Sequence, residues 1–247
     1  MMQTNPSTFF RNNNHTGVEI TRIRVALLQS KLLQSLSSNV LEDLSRRVSI
    51  VKFAKNKTIV AKGDAGDKLF IVITGRVKVV LYGENGREVT LSILRQGDSF
   101  GEMSLFDTKP RSAHCITADK TEVLSLSRAD LIAHIQKFPE TAMNLLGELG
   151  KRLRDADQTI AGLALCDVNE RLIQRLVSLA DEEGVNVEEG LLVKKRPTQQ
   201  ELANMVGSCR ETISRSFNQL VKDGLVIARG RQMILTPALL SQFNKAA

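Results

Sequence analysis

The chain has 247 residues, of which 42% are hydrophobic and 25% charged, and it carries a net charge of +7 at pH 7. That size suits one large domain or two smaller ones, and the basic balance favours an anionic partner without choosing among nucleic acid, membrane surface and small phosphates. The absence of Trp and the single Tyr argue against aromatic stacking on single strands, and three scattered cysteines argue against a disulfide scaffold or an iron–sulfur cluster.

The N-terminal stretch Met1 to Thr16 is rich in Asn, Ser and Thr and has no apolar core. It reads as a loose tail that extends to residue 22, and not as a signal peptide. No apolar run approaches the ~18 residues that span a bilayer, so no membrane association is expected and the cytoplasm is the expected location. From Arg22 to Val48 the apolar residues Leu27, Leu28, Leu32, Leu33, Val40, Leu41 and Leu44 follow helical spacing, with Ser38 as a cap.

From Val51 the period becomes two. Short runs follow at Thr58–Val60, Leu69–Thr74, Val77–Tyr82, Val89–Leu94, Ala113–Ala118 and Glu122–Leu126, separated by glycine-bearing turns. Many short strands at this spacing predict an antiparallel barrel or jelly roll over 23–138, or a plain sandwich that holds no ligand.

Inside this region lies Phe-Gly-Glu-Met-Ser-Leu-Phe-Asp-Thr-Lys-Pro-Arg-Ser-Ala, Phe100 to Ala113. A short helix starting at Gly101 would turn its unpaired N–H groups, including that of Met103, toward a ligand. Arg111, followed by Ser112, offers a planar fork to a phosphate, and Glu102 would accept from hydroxyls. Such a set suits a sugar phosphate.

The longest helical pattern runs from Pro139 to Leu165. Leu146, Leu149, Leu153, Ala156, Ile160 and Leu163 fall at alternating steps of three and four. So narrow a seam predicts a parallel helix pair in a homodimer over 139–166, with intrachain packing as the alternative. Asp167 and Glu170 then form a capping-box pattern that opens a new helix and a last domain, 167–247.

In that domain Thr198-Gln199-Gln200-Glu201 and Ser208-Cys209-Arg210-Glu211 are two helix starts ten residues apart, with Gly207 between them. This spacing predicts a helix-turn-helix whose second helix presents Arg210, Glu211, Ser214 and Arg215 to the major groove. Arginine can donate twice to guanine, and glutamate can accept from cytosine. Glu211 could instead be the second half of a capping box, folded back on the Ser208 N–H, and the whole could be an ordinary helical hairpin. Arg229 and Arg231 lie on a following hairpin, placed for phosphates. From Leu191 onward nine Lys/Arg face three Asp/Glu, a balance suited to DNA.

Together these stretches resemble the CRP–FNR family of bacterial transcription regulators, in its cyclic-AMP receptor branch, from about Leu33 to Pro237. Lys62 to Gly75 resembles the family's barrel signature, Phe100 to Ala113 its phosphate-binding cassette, and Gly207 to Arg215 its recognition helix. The resemblance implies an α+β fold: an N-terminal antiparallel jelly-roll barrel that is a cyclic-nucleotide-binding domain, a long dimerisation helix and a C-terminal winged helix-turn-helix. It implies that Gly101, Arg111 and Ser112 bind a cyclic phosphate and Glu102 a ribose hydroxyl. It also implies that Arg210, Glu211 and Arg215 read a GTG-like half-site on double-stranded DNA, and that RNA polymerase is a partner.

One departure concerns the base. Where the cyclic-AMP receptor has a Thr-Ser pair on the long helix, this chain has Ala156 and Asp157. An ionised Asp157 only accepts; it can take the adenine amino group, and it matches the paired donors of guanine better. Cyclic AMP is the first expectation, with cyclic GMP or cyclic di-GMP next, and Asp157 as a plain solvated charge is the remaining alternative. His114-Cys115 is read as neither a haem nor a metal site, because adjacent strand residues face opposite ways. His15 and His134 read as isolated. With no catalytic constellation, neither catalysis nor a metal is expected.

Overall fold

The structure is a computed structural model that describes residues 17–33 and 36–246. Residues 1–16 of the expected tail lie outside the described residues. Residues 17–22, also expected in the tail, are helical: α1 is Gly17–Leu28, and its buried Ile23, Ala26 and Leu27 anchor it to the core. A 3₁₀ turn Lys31–Leu33 and α2, Ser38–Ser45, follow. The N-cap of α2 is Ser37 rather than the expected Ser38, and its side chain makes no capping bond.

Eight strands come next: β1 Ser49–Phe53, β2 Thr58–Val60, β3 Lys68–Thr74, β4 Val77–Tyr82, β5 Glu88–Leu94, β6 Ser99–Phe100, then, after the one-turn helix α3 Met103–Phe106, β7 His114–Thr117 and β8 Thr121–Ser127. They form two four-stranded sheets, ordered β1-β8-β3-β6 and β2-β7-β4-β5. The pairs β1–β8, β3–β8, β3–β6, β2–β7 and β4–β7 are all antiparallel.

The two-residue period divides β3 between two cores. Leu69, Ile71 and Ile73 join a cluster with Ile23, Leu27, Leu44 and Leu131 under the helices. Phe70 and Val72 join Val77, Phe100, Cys115 and Val123 in the barrel interior. With both faces covered, β3 reads as a continuous apolar run instead of a clean alternation. Phe70 and Phe100 stack there with centroids 5.1 Å apart.

Beyond the barrel come α4 Arg128–Lys137, α5 Glu140–Leu165 and α6 Val168–Glu183. The α6 capping box is formed: Glu170 N–H donates to Asp167 Oδ1 at 2.9 Å, and Asp167 N–H to Glu170 Oε2 at 2.8 Å. Two short strands that the periodicity did not reveal, β9 Val185–Val187 and β10 Gly190–Val193, precede α7 Gln199–Val206 and α8 Arg210–Lys222; β11 Val226–Arg229, β12 Gln232–Leu235 and α9 Pro237–Ala246 complete the chain. The wing is therefore a four-stranded sheet, β11-β12-β10-β9, rather than a lone hairpin.

The chain divides into two compact units, one of residues up to Val80 with Ile93–Lys151, the other of Leu81–Ser92 with Arg152 onward. The second has its own core, built on Leu172, Leu176, Leu202, Ile213, Phe217 and Met233. At ~1.5–3 kcal/mol for each large side chain withdrawn from water, such a core offsets the cost of ordering its short elements. Among the described residues no helix is long and apolar enough to cross a membrane.

Candidate ligand cassette and nucleic-acid interface

In the first unit the cassette follows β6. Gly101 has φ +85°, a region glycine enters without penalty. A Cβ there would stand 2.6 Å from Arg111 Nη1 and 2.8 Å from the Lys68 carbonyl. The helix starts at Met103, not at Gly101 as expected, and Glu102 is its cap residue. The shift has a simple cause: a residue at positive φ cannot belong to a right-handed helix. Leu105 and Ser104 are buried, whereas Met103 and Phe106 are about half exposed.

Arg111 is 7% exposed and Glu102 4%. The Arg111 guanidinium donates from Nη1 to the Gly101 carbonyl at 2.6 Å and from Nη2 to the Lys68 carbonyl at 2.9 Å. Its main chain is held as well, N–H to the Asp64 carbonyl at 2.8 Å. Burial pushes the guanidinium down from the usual arginine range, opposed by the negative charges of Asp67, Glu102 and Asp64; arginine starts so high that it stays charged. A side chain at Gly66 would collide with Ser104 Oγ and Arg111 Nε, so Gly66 is a further cassette residue that the sequence did not single out. Ser112 is exposed, with Oγ 3.8 Å from Met103 Sδ. Gly101, Glu102, Met103, Arg111 and Ser112 are thus brought together as expected. A fixed buried cation flanked by a carboxyl group can hold an anion that also bears hydroxyls.

On α5, the seam residues Leu146, Leu153, Ile160 and Leu163 are 53–64% exposed, and Ala156 and Asp157 are exposed too. Leu149 departs from the expected seam and packs, half buried, against the barrel-side cluster that Leu145 enters fully. His134 is not isolated. It is wholly buried, with Nδ1 2.8 Å from Asp43 Oδ2 and Nε2 3.1 Å from Thr141 Oγ1. With Asp43 ionised, Nδ1–H donates to it and Nε2 accepts from the Thr141 hydroxyl.

In the second unit Thr198 and Glu201 form the expected capping box, Thr198 N–H donating to Glu201 Oε2 at 2.8 Å and Glu201 N–H to Thr198 Oγ1 at 3.2 Å. Gln199 is the first residue of α7. The second box does not form. The cap of α8 is Cys209, not Ser208, because the Ser208 N–H already donates to the Ala203 carbonyl at 3.0 Å and closes α7. Glu211 is thereby released from the capping role and is exposed on the first turn of α8 beside exposed Arg210. Arg215 is exposed one turn on, with Ser214 half buried. Cys209 is exposed, and hydrogen bonds from the Thr212 hydroxyl and N–H hold its thiol below the usual cysteine range.

On the wing, Arg229 makes a two-pronged pair with Glu189, at 2.6 and 3.3 Å, while Arg231 at the turn is exposed. Arg229 is thus partly neutralised within the unit, a pairing that its position in the sequence does not suggest. Arg196, missed in the sequence, reaches the same turn, its Nη2 donating to the Gly230 carbonyl at 3.2 Å.

Comparisons with known proteins agree with this geometry. Residues 50–138 match the family model of the cyclic nucleotide-binding domain, and residues 170–243 that of the Crp-like helix-turn-helix domain. The CRP-like cAMP-activated global transcriptional regulator of Mycobacterium tuberculosis is 31% identical over 210 residues, 85% of this chain and 94% of that protein. The Cyclic AMP receptor protein of Thermus thermophilus is 34% identical, over 77% and 85% of the two chains. Among solved structures, the c-di-GMP responsive global regulator CLP of Xanthomonas campestris aligns with a TM-score of 0.71 at 26% identity, covering 81% of this chain and 99% of that one. Since the mycobacterial match takes in nearly the whole of that regulator, more is shared than one portable module, and the chain belongs to the CRP–FNR family of transcription regulators.

Proposed function

We propose that the protein is a homodimeric regulator, gated by a cyclic nucleotide, that binds a palindromic GTG-type DNA site and acts with RNA polymerase in the cytoplasm. The observation that carries the nucleotide reading is the buried Arg111 guanidinium, fixed by two backbone carbonyls beside buried Glu102. A cation held in this way is pre-organised for a phosphate and loses little entropy on binding it. Gly101, Met103 and Ser112 complete the phosphate contacts, and Glu102 takes the ribose hydroxyl.

Cyclic AMP is the first ligand of this reading, in keeping with the cAMP-activated mycobacterial relative. A guanine nucleotide is the second, favoured by Asp157 in place of a hydroxyl residue, beside Ala156, and by the c-di-GMP responsive Xanthomonas regulator. Arg210, Glu211 and Arg215 read bases, with Ser214, Thr198, Gln199, Ser208, Arg229 and Arg231 at the edges and phosphates. Binding shifts the DNA-competent state only by the ligand's preference for that state over the other.

The test is calorimetry of cyclic AMP, cyclic GMP and cyclic di-GMP on the full chain, with gel shifts on a GTG-type palindrome with and without each. One nucleotide should bind and raise DNA affinity, and Arg111→Ala should abolish its binding while the circular dichroism spectrum stays unchanged. Equal nucleotide affinity in Arg111→Ala would remove the cassette from the mechanism, and DNA affinity indifferent to all three nucleotides would leave a constitutive regulator. Asp157→Ser should move preference toward cyclic AMP if the carboxylate selects the base.

A further inference from the structure

The segment between β10 and α7 reads Lys194-Lys195-Arg196-Pro197. Proline holds the residue before it extended, which leaves the Arg196 N–H and side chain free to bond across to another element. Both reach the wing turn. The Arg196 N–H donates to the Arg231 carbonyl at 2.7 Å, and Nη2 donates to the Gly230 carbonyl at 3.2 Å. The same guanidinium lies over the Phe217 ring, 4.7 Å from its centroid. Phe217 belongs to α8, the helix that carries Arg210 and Arg215, and is 2% exposed, so the second unit's core fixes its ring.

The β11–β12 tip needs such an anchor. Arg229 pairs with Gln232 across the two-residue turn Gly230-Arg231, and a two-stranded tip is marginal by itself in water. Arg196 grips the turn at two consecutive carbonyls and stacks on the helix beside it. Lys194 and Lys195, its neighbours, are exposed and carry charge to solvent, whereas Arg196 is half buried with its planar face spent on Phe217. We infer that Arg196 is a positioning residue for DNA binding: it locks the wing turn to the recognition helix and so fixes how far Arg231 stands from Arg210 and Arg215. Its part is to place Arg231, and the charge it carries is not spent on a phosphate.

The inference rests on the DNA reading above, and its test separates the two. The full chain is compared with Arg196→Lys, which keeps the charge but loses the planar stack and the fixed fork, and with Arg196→Gln, which loses the charge. In the free protein, hydrogen exchange at the wing turn should rise about three- to tenfold in both variants, from the loss of the stacked cation and its one side-chain bond to Gly230 while the backbone bond to Arg231 stays, with α6 and α7 unchanged. On a palindromic duplex, Arg231→Ala should weaken binding in the wild type and lower the salt slope by about one per half-site. In the Arg196→Lys background the same change should cost much less, because Arg231 is already misplaced. Wild-type wing exchange in Arg196→Lys, or an undiminished cost of Arg231→Ala in that background, would overturn the inference. Wild-type DNA affinity in Arg196→Lys with a reduced salt slope in Arg196→Gln would show a direct phosphate contact instead. Failure of all variants and the wild type to bind any duplex would defeat the DNA reading, while the exchange measurement would still decide the role of Arg196 in the wing.

Discussion

Arg111 and Arg210 are both arginines in short motifs, yet their surroundings assign them different work. Arg111 is enclosed, and its guanidinium is already engaged by the carbonyls of Gly101 and Lys68. Arg210 opens α8 and is exposed, as a residue must be to reach a base edge. Arg210→Ala should therefore leave the fold untouched and remove discrimination at one guanine of the half-site, worth ~1–3 kcal/mol. Competition binding against duplexes substituted at each position would measure this; a variant that still prefers the same guanine would shift the register of the helix on DNA. Glu211 gains from the same local detail. With Cys209 as the cap and the Ser208 N–H given to Ala203, its carboxylate is not folded back on Ser208, one of the two roles that the spacing of Ser208 and Glu211 had left open.

At the scale of elements, the helices beneath the barrel are joined by a polar knot. His134 of α4 touches Asp43 of α2 and Thr141 of α5. Arg47 Nε donates to Asp43 Oδ2 at 2.6 Å and Lys137 Nζ to Oδ1 at 3.1 Å. Burial pushes the His134 imidazole down from its usual range despite the neighbouring carboxylate, and the bond from Arg47 holds the Asp43 carboxyl well below the usual carboxylate range. The sign for histidine follows. Its folded pKa lies below its unfolded value of ~6.5, so the unfolded chain takes up the proton first. The stability it contributes is complete above about pH 6.5 and falls as the pH drops through that value. The Asp43 contribution has the same direction but is present above ~4 and lost only below it, in a separate window. Thermal midpoints of the full chain should fall from pH 7.5 to pH 5.5, and His134→Gln should flatten that fall. A pH profile equally steep in the variant would place the titration elsewhere.

At the scale of the molecule, the α5 seam bears on assembly. Leu146, Leu153, Ile160 and Leu163 expose more than half of their surface along one stripe, a costly display of apolar side chains unless another surface covers it. The proposed cover is a second α5 in parallel, because exposed Leu146, Leu153 and Ile160 recur every seven residues even with Leu149 turned inward. Two recognition helices on a common axis would then meet half-sites ~34 Å apart. Leu153→Lys with Ile160→Lys should convert a dimer into a monomer in sedimentation equilibrium and weaken palindrome binding by at least tenfold, as half-site binding loses its second contact. A dimer that persists in this double variant would mean that another surface holds it. Single-site binding that also disappears would mean the substitutions reached beyond the seam.

The sequence by itself determined the kind of each long element and the residues of both motifs. Periods of two and of three to four are local, and α6 and α7 begin where their capping boxes put them. The cassette was legible because Gly101, Glu102, Arg111 and Ser112 lie within a dozen residues. What only the tertiary structure decided involves partners distant along the chain, which periodicity cannot name: it assigns a side chain to a face and says nothing of what lies opposite. Arg111 is held by Lys68, 43 residues away, and His134 by Asp43, 91 residues away. The strands β9 and β10 have three and four residues, too few for a period to register, and exist because β12 pairs with β10. The Ser208 N–H had two possible partners, and the closure of α7 on Ala203 chose between them. Arg196 stood in the sequence as one more cation in a basic run, until the fold laid Phe217 under it and the wing turn against it.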